Sequence, residues 1–206
     1  MPKPIEVRSL KAEVRSKKKN LFITMESNVY LIRWYGPFKT RKDVKDFEAK
    51  HRFKCSLYLL HGKLSARERR EKYYCGMSTR EIYKRLSDKG HHIEEIEENL
   101  NSIYVGCISN LKRPSTDKIL LTENIITAVL AEDVGDNQIL NKINKKYPAT
   151  NVYVINEWWR NDGSRVWERQ RCNAPSHIVP DVISYRYDET DGCYSIHRCQ
   201  KLKKYV

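Results

Sequence analysis

Apolar residues along the chain recur with two periods, near two and near 3.6, and the switches between them mark the elements. In the stretch 22–36, Val29, Leu31 and the aromatic pair Trp34 and Tyr35 suit strand and turn. The segment Thr40 to His51 is polar apart from a face carrying Val44 and Phe47, and reads as a helix. CSLYLLHG (55–62), YYCGMS (73–78) and SIYVGCIS (102–109) read as three strands. Between the second and third, Ser78 and Glu81 have capping-box spacing, which predicts a helix over 79–89 with Ile82 and Leu86 inward and Gly90 at its end. HIEEIEENL (92–100) continues as a short helix that aligns Ile93, Ile96 and Leu100.

Downstream, LKRPSTD is a loop in which Ser115 or Thr116 can cap the most apolar helix of the chain, 117–133. Asp136 opens a further predicted helix, NQILNKINKKY (137–147), stopped by Pro148. From 151 onward, NVYVINEWW, SRVWERQR, VISYRY and YSIHRCQKL alternate between turn signals and read as β-rich, with Trp158, Trp159 and Trp167 as apolar anchors. The pattern shows no repeat and no linker. The expectation is one domain over 1–206: an α/β core at 55–155, an N-terminal arm with an additional strand and helix (1–54), and a β-rich extension (156–206).

A length of 206 residues, 40% of them hydrophobic, supplies a core and argues against disorder. Charge narrows the partners: 39 Lys and Arg against 26 Asp and Glu leave a net +13, which favours a polyanion, nucleic acid before an acidic membrane. No apolar run approaches the roughly 20 residues of a membrane span, and the start lacks a secretory apolar region. An intracellular, cytoplasmic protein with no membrane role is expected. Six cysteines without a CxxC pair then read as free thiols. Cys172, His177, Cys193, His197 and Cys199 lack the close spacing of a zinc site.

Candidate chemistry lies in the middle of the chain. Tyr58 is on one strand, Tyr74 and Gly76 on the next, Arg85 on the helix that follows, and His91 and His92 lie just past its end. Glu123 stands on an apolar helix face with Ile119, Ile126 and Leu130, so its carboxylate needs a cation, an arginine or a hydrogen-bond donor. Phosphodiester hydrolysis needs an activated water, a neutralised phosphate and a stabilised leaving oxygen, and tyrosine, arginine and a metal-binding glutamate can supply them together. From spacing alone the same residues also read as core aromatics, a surface arginine and a structural salt-bridge acceptor. Lys63, Arg67, Arg69, Arg70 and Lys72 lie between the two tyrosine strands, and Arg80 follows the second. These cations are candidates for phosphate contacts.

SLY at 56–58 followed by YCG at 74–76, with the helix arginine, a later helix glutamate and a terminal asparagine in order, resembles the paired motif of the GIY-YIG nucleases. The likeness covers about 55–155. Ser56, Leu57 and Cys75 depart from the family's residues, and the insertion KLSARERREK widens the gap between the tyrosines. The resemblance implies a small, mostly antiparallel central sheet flanked by helices. It implies Tyr58, Tyr74, Arg85, one of His91 and His92, and Asn151 as catalytic residues, with Glu123 as ligand to Mg²⁺ or Mn²⁺. The activity it implies is site-specific hydrolysis of double-stranded DNA, as by a small type II restriction endonuclease. Such an enzyme often works as a homodimer, and no obligate protein partner is expected. A noncatalytic DNA- or RNA-binding protein is the main alternative, since basic charge and aromatics serve binding equally.

Overall fold

The computed structural model describes residues 28–164 and 179–199. The first 27 residues of the N-terminal arm, and Trp167, Cys172 and His177, lie outside them. In chain order the elements are β1 (Asn28–Phe38), α1 (Arg41–His51), β2 (Leu57–Gly62), β3 (Lys72–Met77), α2 (Ile82–Leu86), α3 (Ile93–Ile96), β4 (Leu100–Ile108), α4 (Thr116–Val134), β5 (Val152–Trp159), β6 (Val182–Asp188) and β7 (Cys193–Cys199). The fold is α/β, with one mixed seven-stranded sheet in the order β3-β2-β4-β1-β5-β6-β7. Only β1 and β5 run parallel; every other described neighbour pair is antiparallel.

Side-chain alternation splits the core between the two faces of the sheet. Leu57, Leu59, Tyr73 and Cys75 join Trp34, Trp158 and the apolar side of α4. Tyr58, Leu60, Tyr74, Ile103 and Val105 point the other way, onto residues of α1, α2 and α3. Trp158 is an anchor as expected, stacked on Trp34 with ring centroids 5.9 Å apart. The indole of Trp34 donates to Asn156 Oδ1 at 2.8 Å, which meets the polar requirement of a ring that is fully buried. The additional strand and helix expected before residue 55 are β1 and α1. That strand is central, because its alternation lets it pair with β4 on one side and β5 on the other.

Local signals held where the chain supplied its own cap. Thr40 and Asp43 form a reciprocal capping box at the start of α1, and Ser115 caps α4. The box expected at Ser78 and Glu81 does not form: Ser78 Oγ accepts from the Arg80 N–H and donates to the Arg80 carbonyl. Helix α2 is therefore only five residues long, not the expected 79–89. Its first N–H groups are satisfied from another helix, Glu48 of α1 accepting from Ile82 N at 2.8 Å and Tyr83 N at 3.0 Å. Burial pushes the Glu48 carboxyl up, and these two bonds oppose that rise. Glu48→Ala should cost about 2–3 kcal/mol by orphaning both donors. Urea melts of Glu48→Ala and Glu48→Gln check this, and a loss in the Ala protein no larger than in the Gln protein would refute it.

The expected helix 137–147 is also absent. Asp136–Gln138 makes one 3₁₀ turn, after which Ile139 bridges Tyr73 and Leu140 N donates to the Tyr73 carbonyl. The free edge of β3 outcompetes the helix, since it offers unpaired backbone groups that this segment can satisfy. Among the described residues no helix is long and apolar enough to cross a membrane.

Candidate functional site

Cross-strand pairing of β2 with β3 sets Tyr58 opposite Gly76 and Leu60 opposite Tyr74, so both tyrosines project from the same face. Their rings stack with centroids 5.8 Å apart. Gly76 makes the room: a Cβ there would lie 2.3 Å from Tyr58 Cζ and 2.6 Å from Tyr74 Cε1. Tyr58 is fully buried, while Tyr74 keeps 9% of its surface exposed.

The two histidines separate. Buried His91 meets the Tyr58 hydroxyl through Nε2 at 2.8 Å, and its Nδ1 accepts from Ile93 N at 3.0 Å. An accepting Nδ1 places the neutral ring's proton on Nε2, so His91 donates to Tyr58. Burial, Arg85 and His92 push His91 down to about 4. His92 instead lies over the Tyr74 ring at 4.9 Å and bonds Glu95 through Nδ1 at 2.5 Å. Burial raises both tyrosines above their ordinary value, Tyr58 the more firmly fixed as phenol because it is the more deeply buried. At Tyr74 a hydrogen bond from Tyr58 and the charge of Arg85 work against that rise. His91 thus bonds the inner tyrosine, and Tyr74, stacked on Tyr58, is the more exposed of the two.

Arg85 projects beside this pair, 40% exposed, its guanidinium on Asp88 Oδ2 at 2.9 Å. Asp88 holds it above its ordinary value and also accepts Arg80. Glu123 approaches from α4 on the opposite face. It is close enough for its charge to act on Tyr74 and for Arg85 to act on it. Glu123 is 6% exposed, and its only described hydrogen bond is a long one from Asn144 Nδ2 at 3.4 Å. Burial lifts its carboxyl to about 7, against the opposing effects of Asn144 and Arg85. A buried carboxylate so weakly compensated fits a divalent cation with most of its shell supplied by phosphate and water. Among the described residues no cluster of three or more His, Cys, Asp or Glu side chains surrounds it.

Asn151 is not brought to this group. It precedes β5, four places along the sheet from β3 and so about 19 Å away, where its Oδ1 accepts from Tyr187 N at 2.7 Å. Asn141 and Asn144 stand near the site instead. Asn141 clamps β3 beside Gly76, accepting from Cys75 N at 3.0 Å and donating to Cys75 O at 2.6 Å. The segment was read as helix, which concealed both. Asp88 was legible as a partner three residues beyond Arg85 on a helical turn.

The basic insertion forms the β2–β3 loop, with Arg67, Arg69 and Arg70 exposed. Neither neighbouring carboxylate engages them: Glu68 pairs with Lys72 at 3.2 Å, and Glu71 with His61 at 2.7 Å. Lys72 is thereby committed to Glu68 and to the Asn137 carbonyl. Lys63 is half-buried, and Arg80 is exposed on its ion pair with Asp88. The loop leaves the hairpin at Gly62, four residues or about 13 Å from Tyr58. On β3 the loop ends at Lys72, two residues before Tyr74. No protein-family model matches this chain, and neither a curated protein nor a solved structure matches it.

Proposed function

We propose that the chain is a divalent-metal-dependent endonuclease of the GIY-YIG type, hydrolysing double-stranded DNA at specific sites in the manner of a small type II restriction enzyme. The observation that carries this reading is the convergence of a stacked tyrosine pair, an arginine and a buried, undercompensated carboxylate. Water attacking phosphorus must lose a proton, and Tyr74, the more exposed tyrosine, receives it once the charge of Arg85 and of a bound cation offsets the burial that disfavours its phenolate. Tyr58 and His91 are positioning residues: His91 fixes the Tyr58 hydroxyl, and the Tyr58 ring stacks against Tyr74. Arg85, oriented by Asp88, faces the charge that grows on the phosphate. Glu123, with Asn144 beside it, would hold Mg²⁺ or Mn²⁺, which when bound supplies positive charge against a phosphate oxygen and the leaving oxygen. A homodimer would present two such sites to the two strands.

The test is incubation of the purified protein with plasmid and diverse genomic DNA, in Mg²⁺ and in EDTA, with sequencing of the ends. Discrete fragments that share one junction and require metal are expected. Cleavage in EDTA would overturn the role of Glu123. A second reading, a noncatalytic nucleic-acid-binding protein, draws on the full burial of Tyr58. Its signature is tight binding without cleavage across the whole panel.

A further inference from the structure

The loop after α1, the β3–α2 turn and the β4–α4 loop enclose an open groove of about 780 Å³ that none of the chemistry above uses. Arg52, Lys54, Arg80 and Arg113 reach it from these three loops. The carboxylates on it, Glu48 and Glu81, are engaged elsewhere: Glu48 by the N–H groups of α2, Glu81 by Lys84 at 2.9 Å. Arg80 is held by Asp88, but Arg52, Lys54 and Arg113 are exposed and form no ion pair among the described residues. Three unpaired cations around one concavity raise its positive potential and draw an anion.

Independent features point the same way. Ser56 lines the groove at 6% exposure, and its hydroxyl has no hydrogen-bond partner. A buried hydroxyl left unpaired marks a place for a ligand atom. Helix α4, 19 residues long, begins on the groove wall at Thr116, adding the positive end of its dipole. Arg52 ends α1 in the left-handed conformation, φ 52 and ψ 27, a place suited to glycine or asparagine. The chain bears that strain and keeps a long cation there.

The groove adjoins the reaction site. Ser78 N donates to Ser56 O at 2.8 Å, two residues along each strand from the Tyr58 and Gly76 pair. Ile119 on the groove is one helical turn before Glu123, and Arg80 shares Asp88 with Arg85. We propose that the groove holds the phosphate backbone of the DNA strand leading away from the cleaved bond, with Arg52, Lys54 and Arg113 as phosphate contacts and the Ser56 hydroxyl as a neutral donor. The identity of the ligand rests on the nuclease reading; the test below does not require cleavage.

Binding of a labelled duplex in EDTA, by fluorescence anisotropy over a salt series, compares the wild type with Arg52→Gly/Lys54→Gln/Arg113→Gln. Three lost contacts should flatten the slope of log affinity against log salt by about 2.7, and weaken binding roughly 100-fold near 0.1 M salt. Arg52→Gly alone should cost about 0.9 of slope while its Tm is no lower than the wild type's, since glycine relieves the left-handed backbone. Ser56→Ala should weaken binding with no change of slope. Far-UV circular dichroism controls for folding, and Arg113→Gln, on an exposed loop, serves alone if the triple variant is unstable. Unchanged slope and affinity in folded variants overturn the groove, whether or not the wild type cuts. Groove-dependent binding without cleavage on any substrate overturns the nuclease reading and leaves the groove standing. A wild type that binds no duplex, and is stabilised by inorganic phosphate at constant ionic strength, overturns the DNA assignment in favour of a small-anion site.

Discussion

Replacing Glu123 by Gln is expected to lower cleavage on the order of 10²–10³-fold and, without divalent metal at pH 8, to stabilise the fold by about 3 kcal/mol. The two effects have one cause, burial of a carboxylate that Asn144 only weakly satisfies. The carboxyl ionises near its ordinary 4.5 in the unfolded chain and at about 7 in the folded one. Between those values the folded state keeps a proton that the unfolded state has released. Stability is therefore greatest below the lower value and drains as pH rises through the upper. His91 runs the other way. Its ring titrates near 6.5 when unfolded and at about 4 when folded, so its contribution is present above the upper value and lost as pH falls through the lower. The two opposing slopes overlap between about 4.5 and 6.5 and nearly cancel there. Glu123→Gln removes one of them, and its stability should rise with pH across that window where the wild type is flat. Urea melts from pH 4.5 to 8.5 in EDTA check this, and matching profiles for the two proteins would rule it out. Mg²⁺ should then stabilise the wild type and not the variant.

Gly76→Ala should cost about 3 kcal/mol or more and disable the site with it. The added methyl would lie 2.3 Å from Tyr58 Cζ and 2.4 Å from its hydroxyl oxygen. Tyr58 has no room to yield, being fully buried and held by His91 at 2.8 Å. Tyr58→Leu removes the two nearest colliding atoms and leaves Tyr74 Cε1 at 2.6 Å, so in the double variant the alanine should cost less than it does alone. A double-mutant cycle by urea denaturation measures that coupling. Strictly additive costs would remove the steric account of why glycine stands here.

Much of the candidate site could be read along the chain because its parts lie on consecutive elements. A strand, a glycine, a short helix and an arginine follow one another within a dozen residues, and alternation alone places Tyr58 and Tyr74 on one face. Less could be read where satisfaction comes from afar. The Ser78 and Glu81 spacing suggested a local cap, yet Glu48, 34 residues before Ile82, supplies it. The segment after Asp136 has helical periodicity, but the open edge of β3 offered its backbone a better partner.

The sequence by itself determined the strands that carry the tyrosines, the apolar helix that carries Glu123, the basic balance and the tryptophan anchor, because each follows from the period and type of neighbouring side chains. Tertiary structure alone decided that β1 is central, that Asn141 stands beside Gly76 and Asn144 beside Glu123 while Asn151 does not join them, and that His91 rather than His92 bonds Tyr58. It also decided that Arg52, Lys54 and Arg113, up to 61 residues apart, share one groove. Strand order and edge pairing are settled by which backbone groups are left unsatisfied once the sheet has assembled, and no local pattern of side chains records that.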